Sequence, residues 1–111
     1  GNDRLLGGTG RDTLIGGMGQ DRFIFNNPGE LGDRILDFNA RQDIISLARL
    51  TRSPRFRSQT PFDDYIRLVQ AGSRTVVRMD MNGNVDGQQF QTVAVLMNTD
   101  ASDIQASNVV F

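Results

Sequence analysis

The segment from Gly1 to Phe25 repeats a nine-residue pattern, and this repeat limits the possible folds more than any other feature of the sequence. Three of its positions are fixed: a glycine, an aspartate two residues later, and a large apolar residue two residues after that. The three columns are Gly1, Gly10 and Gly19; Asp3, Asp12 and Asp21; and Leu5, Leu14 and Phe23. Such short-period self-similarity is typical of proteins built from stacked units.

Each repeat predicts a tight turn followed by a short strand. Glycines adopt positive φ and allow close backbone approach, so a glycine-rich hexapeptide curls tightly and directs carbonyl groups inward. The next three residues have the form x-U-x, with U large and apolar, and form a strand with one inward side chain. Two repeats therefore complete one coil, and every second turn lies on the same edge, about 4.7–4.9 Å from its neighbour.

These turns offer the oxygen ligands that calcium prefers. Ca²⁺ takes six to eight carboxylate and carbonyl oxygens at roughly 2.3–2.6 Å. Stacked carboxylates repel one another unless a cation lies between them, so the metal is expected to be part of the fold, and the roll to be disordered without it. The expected ligands are the side chains of Asp3, Asp12 and Asp21 and the backbone carbonyls of Gly1, Gly8, Gly10, Gly17 and Gly19.

Residues 32–47 predict one more coil with altered turns. Strands at about 34–38 and 44–47 would lie beside the strands that follow Asp12 and Asp21. Asp33 is then expected at the Asp12 edge and Asp43 at the Asp21 edge, both as calcium ligands. Asp37 is at a strand end, where it serves either as a ligand or as a cap.

The second half of the chain predicts a different β-structure. Residues 48–63 are rich in arginine, serine and proline, which favours a short helical turn and an irregular crossing loop. Alternating apolar runs follow, and Asn82-Gly83 between two of them is a hairpin signal. We predict an antiparallel cap with the terminal strand at 109–111 docked on it.

The predicted fold class is therefore all-β: a right-handed parallel β-roll capped by an antiparallel β-structure. We place the roll at residues 1–47 and the cap at 48–111, as parts of one continuous domain.

Composition excludes several function classes. The chain has 111 residues, with 12 basic against 13 acidic side chains, and the dispersed arginines give no reason to propose nucleic-acid binding. No stretch is long and apolar enough to cross a membrane. Histidine and cysteine are absent, so these residues form neither a conventional zinc site nor a histidine-based catalytic triad. We therefore expect no catalysis here, and any enzymatic activity would belong to an upstream domain.

Three further motifs each allow two interpretations. Residues 80–86 alternate oxygen-bearing side chains as an EF-hand loop does, but the glycine is misplaced and Gln91 occupies the position of the bidentate acid, which favours a plain hairpin turn. Asp63-Asp64 suggests a carboxylate pair, but a solvated loop end explains it better. The arginines at 49, 52, 55 and 57 either bind an anionic polysaccharide or form an exposed polar loop.

The chain resembles the C-terminal region of RTX-type calcium-binding proteins exported by bacterial type I secretion systems. Three features carry the resemblance: the nonapeptides of residues 1–25, the Gly32–Leu47 segment, and the terminal Ser107-Asn108-Val109-Val110-Phe111. The middle segment is similar to the coil that ends the roll in serralysin-type proteases, alginate epimerase R-modules and RTX adhesins.

The resemblance implies a calcium-loaded β-roll in a secreted bacterial protein. It also implies an uncleaved C-terminal export signal that the type I secretion machinery recognises before the chain folds outside the cell. The R-module likeness adds an anionic polysaccharide as a partner. Because the repeats are few, the first coil is expected to expose an unpaired strand edge, which either upstream repeats or self-association with a neighbouring molecule would cover.

Overall fold

The computed structural model describes residues 4–6, 12–25, 32–83 and 89–111. Nine strands and one short helix, α1 (Pro61–Tyr65), follow one another in these ranges, together with 3-10 turns at Pro54–Phe56, Ala101–Asp103 and Ala106–Asn108. The strands are β1 (Arg4–Leu6), β2 (Thr13–Leu14), β3 (Arg22–Ile24), β4 (Asp33–Ile35), β5 (Ile44–Ser46), β6 (Ile66–Ala71), β7 (Arg74–Asp80), β8 (Phe90–Leu96) and β9 (Val109–Val110).

The strands form two sheets, and the chain alternates between them in the first half. One sheet has the order β1-β3-β5-β9 and the other β2-β4-β8-β7-β6. Every pair in the first sheet is parallel, and so are the pairs β2–β4 and β4–β8. This is the predicted all-β fold with a parallel β-roll.

The registers confirm the predicted coil for the first repeats and show that the last coil is longer. Arg4 lies opposite Arg22, so β1 and β3 are offset by eighteen residues, which is two nonapeptides. Thr13 lies opposite Arg34 and Arg22 lies opposite Ile44, offsets of twenty-one and twenty-two residues. The altered turns therefore add three or four residues without disturbing the parallel pairing.

One apolar core lies between the two sheets. It contains the inward residues of the short strands, namely Leu14, Phe23, Ile35 and Ile45. The last three are fully buried, with 0% of each residue exposed. The alternation x-U-x thus places one side chain of each strand inside. Burying a side chain of this size stabilises the folded state by about 1.5–3 kcal/mol, so a few such residues hold each coil to the next.

The antiparallel cap is present, and it continues a sheet of the roll. β6, β7 and β8 form an antiparallel meander, as predicted. The β6–β7 connection is a two-residue hairpin in which Gly72 has φ of 65°, matching the first central position of a type II′ turn. β8 then pairs in parallel with β4, so Arg34 lies opposite Val95. No local sequence pattern indicates this connection between cap and roll.

The terminal strand does not dock on the cap, and this prediction was wrong. β9 pairs in parallel with β5, with Ile45 opposite Val109, and becomes the fourth strand of the first sheet. The Asn108 side chain fixes this arrangement by donating to the carbonyls of Ala40 at 2.8 Å and Asp43 at 3.0 Å. The hydrogen bonds of Asn108, the residue just before β9, therefore attach this two-residue strand to the roll.

Candidate calcium sites at the turns of the roll

Asp12 and Asp33 lie next to each other at one edge of the roll. Asp12 immediately precedes β2 and Asp33 begins β4, and these two strands pair in parallel. The backbone N–H of Asp12 donates to Oδ1 of Asp33 at 2.6 Å, while the N–H of Arg34 donates to the Asp12 carbonyl at 2.8 Å. The structure thus brings together two of the predicted ligands on the predicted edge.

Asp21 and Asp43 make the equivalent pair at the opposite edge. The N–H of Asp21 donates to Oδ1 of Asp43 at 2.9 Å, and the N–H of Ile44 donates to the Asp21 carbonyl at 2.9 Å. The N–H of Asn39 also donates to Oδ2 of Asp43 at 2.8 Å. Asp21 and Asp43 are 0% and 1% exposed, so this pair of carboxylates is almost fully removed from water.

Because these carboxylates are buried, a nearby positive charge would stabilise their ionised form. Transferring an ionised carboxylate out of water is costly unless it is paired or binds a metal. Burial raises the pKa of Asp43, and the negative charges of Asp21 and Asp37 add to the effect, against the lowering by the hydrogen bonds from Asp21 and Asn39. A divalent cation beside the pair would remove this penalty.

At the other edge, Asp12 shows an oxygen atom that fits a metal ligand. Its Oδ2 is buried and accepts no hydrogen bond from any residue that the structure describes. A buried acceptor left in this state costs about 1–3 kcal/mol or more when charged. Calcium binds such carboxylate oxygens, so the donor set fits the metal that the sequence predicts.

Each bound calcium ion would have few side-chain ligands. Across residues 4–6, 12–25, 32–83 and 89–111, no group of three acidic side chains converges in a way that could hold a metal. A site at either edge would therefore combine a pair of aspartates with backbone carbonyls of the turns, which is a normal mixture for calcium.

Asp37 makes the contacts of a cap. Its Oδ1 accepts the N–H of Gly16 at 2.9 Å and its Oδ2 accepts the N–H of Gly17 at 2.7 Å. Both oxygens thus bind the backbone of the preceding coil, which orders the glycine turn that leads to Asp21. Of the two roles left open by the sequence, this geometry supports the cap.

The glycines of the second turn have two different roles. Gly17 and Gly19 have φ of 80° and 94°, the left-handed region that glycine adopts readily. Gly16 is needed for space, since a Cβ on it would lie 2.5 Å from Oδ2 of Asp21. Gly16 is not among the residues predicted from the sequence, although Gly7 and Gly16 also form a fixed column of the repeat.

Some predicted ligands lie outside the described residues: Asp3, Gly1, Gly8 and Gly10.

The motifs with two interpretations lie outside the two aspartate pairs. Asp80 is 3% exposed and its Oδ1 accepts the N–H groups of Asn82 and Gln89, which closes the neck of the β7–β8 loop. Residues 84–88 of that loop are outside the described ranges. Asp63 and Asp64 are exposed on α1, and the arginines at 49, 52, 55 and 57 are exposed as well.

Comparison with known proteins identifies the repeat. Residues 1–27 match the family model described as RTX calcium-binding nonapeptide repeat (4 copies). Residues 1–27 thus carry RTX calcium-binding repeats. Ca²⁺ is accordingly the cofactor of these repeats, and the paired aspartates are the residues through which we propose that it binds.

A solved structure with a similar fold supports the β-roll. The module is similar to the solution structure of the AlgE6R3 subunit from the Azotobacter vinelandii mannuronan C5-epimerase, with 33% identity and a TM-score of 0.67. The match covers 99% of this chain and 63% of that one, so the module spans less than two thirds of the structure it resembles. A search of curated proteins found no significant match. None of the helices described here has the length and apolar character needed to span a membrane.

Proposed function

We propose that this RTX module is a non-catalytic, calcium-dependent folding unit at the C-terminus of a larger secreted bacterial protein. The observation that carries the proposal is the pairing of aspartates from successive coils, Asp12 with Asp33 and Asp21 with Asp43, at the two edges of the roll. Each pair links one coil to the next, so the state of the carboxylates and the stacking of coils are coupled.

The chain's own groups account for calcium-dependent folding. Without a cation, closing the roll buries Asp21 and Asp43 side by side, which costs desolvation and repulsion. Bound calcium supplies the opposite charge, and a ligand that binds the folded state alone stabilises it in proportion to its concentration. The module therefore stays open at low calcium and closes where calcium is abundant.

The terminal segment is proposed as the type I export signal, on the basis of the family resemblance. In the folded module β9 pairs with β5, and the backbone N–H of Leu47 donates to the Val110 carbonyl at 2.7 Å. These contacts hold Val109 and Val110 in the sheet of the folded module, whereas in the unfolded chain the segment is accessible to a receptor. Low calcium inside the cell thus favours the form that secretion machinery can bind.

Circular dichroism during a calcium titration tests the folding role. We expect a β signal in millimolar calcium and its loss in excess chelator; an identical signal in both would refute the proposal. Secretion is tested separately by fusing the chain to a reporter in cells with a type I exporter, where removal of residues 103–111 should abolish export.

A second candidate function is binding of an anionic polysaccharide on the outer face of the five-stranded sheet. Arg67 and Arg78 are cross-strand neighbours on β6 and β7, and the Arg67 guanidinium lies 4.1 Å from the centre of the Phe90 ring. The similar solved structure belongs to a mannuronan C5-epimerase, and mannuronan is a polymer of uronic acid. Saturable heat on titration with oligouronates, reduced by Arg67→Ala, would support this function.

A further inference from the structure

A groove separates the loop after β4 from the loop after β8. Because these strands pair in parallel, the segments that follow them, residues 36–41 and 97–107, leave the same edge of the sheet. Together they line an open groove of about 810 Å³, a volume within the range of small-molecule sites. We call this space the loop groove. It is distinct from the sheet face that carries Arg67 and Arg78, which we call the arginine face, and it is not required by the calcium-dependent folding proposed above.

One wall of the loop groove is an apolar ledge. Leu36 is 40% exposed, and Met97 lies beside it because its N–H donates to the Ile35 carbonyl at 2.9 Å. Ile15, which follows the neighbouring strand β2, is 61% exposed and continues the same row beyond the groove. Large apolar side chains left exposed in one row are more informative than scattered ones, since such rows mark contact surfaces.

The other wall offers polar groups that are free for a ligand. Asn98, Ser102, Asp103 and Ser107 line it, and none of their side chains forms a hydrogen bond to another residue in the described part of the chain. Each of these residues is exposed. They supply carbonyl, amide, hydroxyl and carboxylate groups, which is a set that both donates and accepts hydrogen bonds.

The backbone that carries these polar groups is well braced. The buried Thr99 donates its N–H to the Ser73 carbonyl at 3.0 Å and its hydroxyl to the Met97 carbonyl at 3.0 Å. The Thr75 hydroxyl donates to the Thr99 carbonyl at 2.7 Å. Binding groups held in place before association lose less entropy on binding.

The charge of the loop groove disfavours a polyanion. Both oxygens of Asp37 accept backbone N–H groups of the roll, and Asp103 adds a second carboxylate on the opposite side. Arg41 is the one basic side chain in the lining. Two carboxylates against one guanidinium leave no excess positive charge with which to bind uronate groups.

We propose that the loop groove binds a neutral oligosaccharide. Sugar hydroxyls both donate and accept hydrogen bonds, matching Asn98, Ser102 and Asp103, while the C–H face of a pyranose ring packs on Leu36 and Met97. The ligand class thus differs from the anionic polysaccharide proposed for the arginine face. Each of these two ligand assignments can be supported or refuted without affecting the other.

Titration of the full calcium-loaded chain with cellohexaose and mannohexaose, followed by calorimetry and NMR, tests the proposal. At least one probe should bind saturably, with shift changes centred on residues 36–41 and 97–107. Asn98→Gly, which keeps the positive φ of 53° accessible, and Asp103→Asn should each weaken binding about three- to tenfold, the effect of one hydrogen bond. Asp63→Asn is the matched control, an exposed aspartate in the first turn of another short helix, and should change nothing.

Several outcomes would overturn the proposal. These are the absence of saturable binding for both hexasaccharides, equal weakening by Asp63→Asn, and shift changes outside the loop groove. A lysine hexapeptide or an oligouronate that occupies the groove more tightly than either neutral probe would also overturn it. Circular dichroism of each variant in calcium separates loss of binding from loss of fold.

Discussion

Asp12 and Asp33 are joined across two coils by a single short contact, the backbone N–H of Asp12 to Oδ1 of Asp33 at 2.6 Å. The contact uses the main chain of Asp12 and leaves its carboxylate available, with Oδ2 buried and without a hydrogen bond from the described residues. The side chain of Asp12 can therefore be changed without removing the link between the coils, which isolates its role in binding the metal.

Asp12→Ala is expected to raise the calcium concentration at the folding midpoint by about tenfold or more, because loss of even an outer-shell partner of a metal typically costs 10- to 100-fold. Calcium titration followed by circular dichroism measures the midpoint. Asp63→Ala removes an exposed carboxylate of α1 and serves as the control. An unchanged midpoint for Asp12→Ala would remove this residue from the metal site.

Gly16→Ala is expected to impair calcium binding through a steric effect. The new Cβ would lie 2.5 Å from Oδ2 of Asp21, so the carboxylate must move away from its position. Gly72→Ala has open space around it but a φ of 65°, so it should cost about 1–2 kcal/mol of stability and leave the calcium midpoint of the roll little changed. Comparing urea unfolding and calcium titration for the two variants checks this contrast.

Asp37→Asn is expected to lower stability in saturating calcium by about 1.5–3 kcal/mol, the value of a hydrogen bond to a charged group. An amide can accept only one of the two N–H groups of Gly16 and Gly17, and its own N–H₂ would face the other. Native mass spectrometry should find the same number of bound ions as in the unaltered chain. One ion fewer would show that Asp37 is a ligand.

Asn108→Ala is expected to destabilise the module by about 1–3 kcal/mol, because the part-buried carbonyl of Ala40 and the buried carbonyl of Asp43 lose this donor. Urea unfolding in excess calcium measures the change. Ser107→Ala, at an exposed neighbouring position, is the control and should have little effect. Equal stability of the two variants would mean that β9 is held by its strand pairing alone.

The pH dependence follows from Asp43, whose pKa is raised above its ordinary value of 3.8, mainly by burial. In the metal-free fold, this group favours folding below pH 3.8, and that contribution is lost as the pH rises through the raised pKa. Protons therefore compete with calcium here, and the calcium midpoint should rise as the pH falls, beginning above pH 3.8. Asp43→Asn should flatten this part of the profile, and a profile identical to that of the unaltered chain would exclude Asp43 as its source.

The roll could be predicted because each repeat places its glycine, its aspartate and its apolar residue at fixed positions in the sequence. The positions of Asp33 beside Asp12 and of Asp43 beside Asp21 followed from counting strands, even though the last coil has a longer register. The position of β9 could not be read in this way. A two-residue apolar strand has no pattern that selects a partner, and the choice depends on Asn108, whose contacts lie 65 and 68 positions away.

The way in which the cap pairs with the roll could not be predicted from local sequence either. Alternation correctly indicated β6, β7 and β8, but not that β8 would also pair with β4. The loop groove arises from this pairing, since it places Leu36 beside Met97. Features that depend on which strands become neighbours are set by tertiary packing and are weakly encoded in local pattern.

The place of β9 in the first sheet also has a kinetic consequence. Asn108 and Asp43 are 65 positions apart, and the whole meander of β6 to β8 lies between them in the sequence. Bringing together residues this distant in sequence costs loop-closure entropy before the contact contributes any stabilisation. Chains rich in such contacts therefore fold slowly. Completion of the sheet should therefore be the late step of refolding after a calcium jump, which leaves a time window in which the tail of the chain is still accessible to proteases.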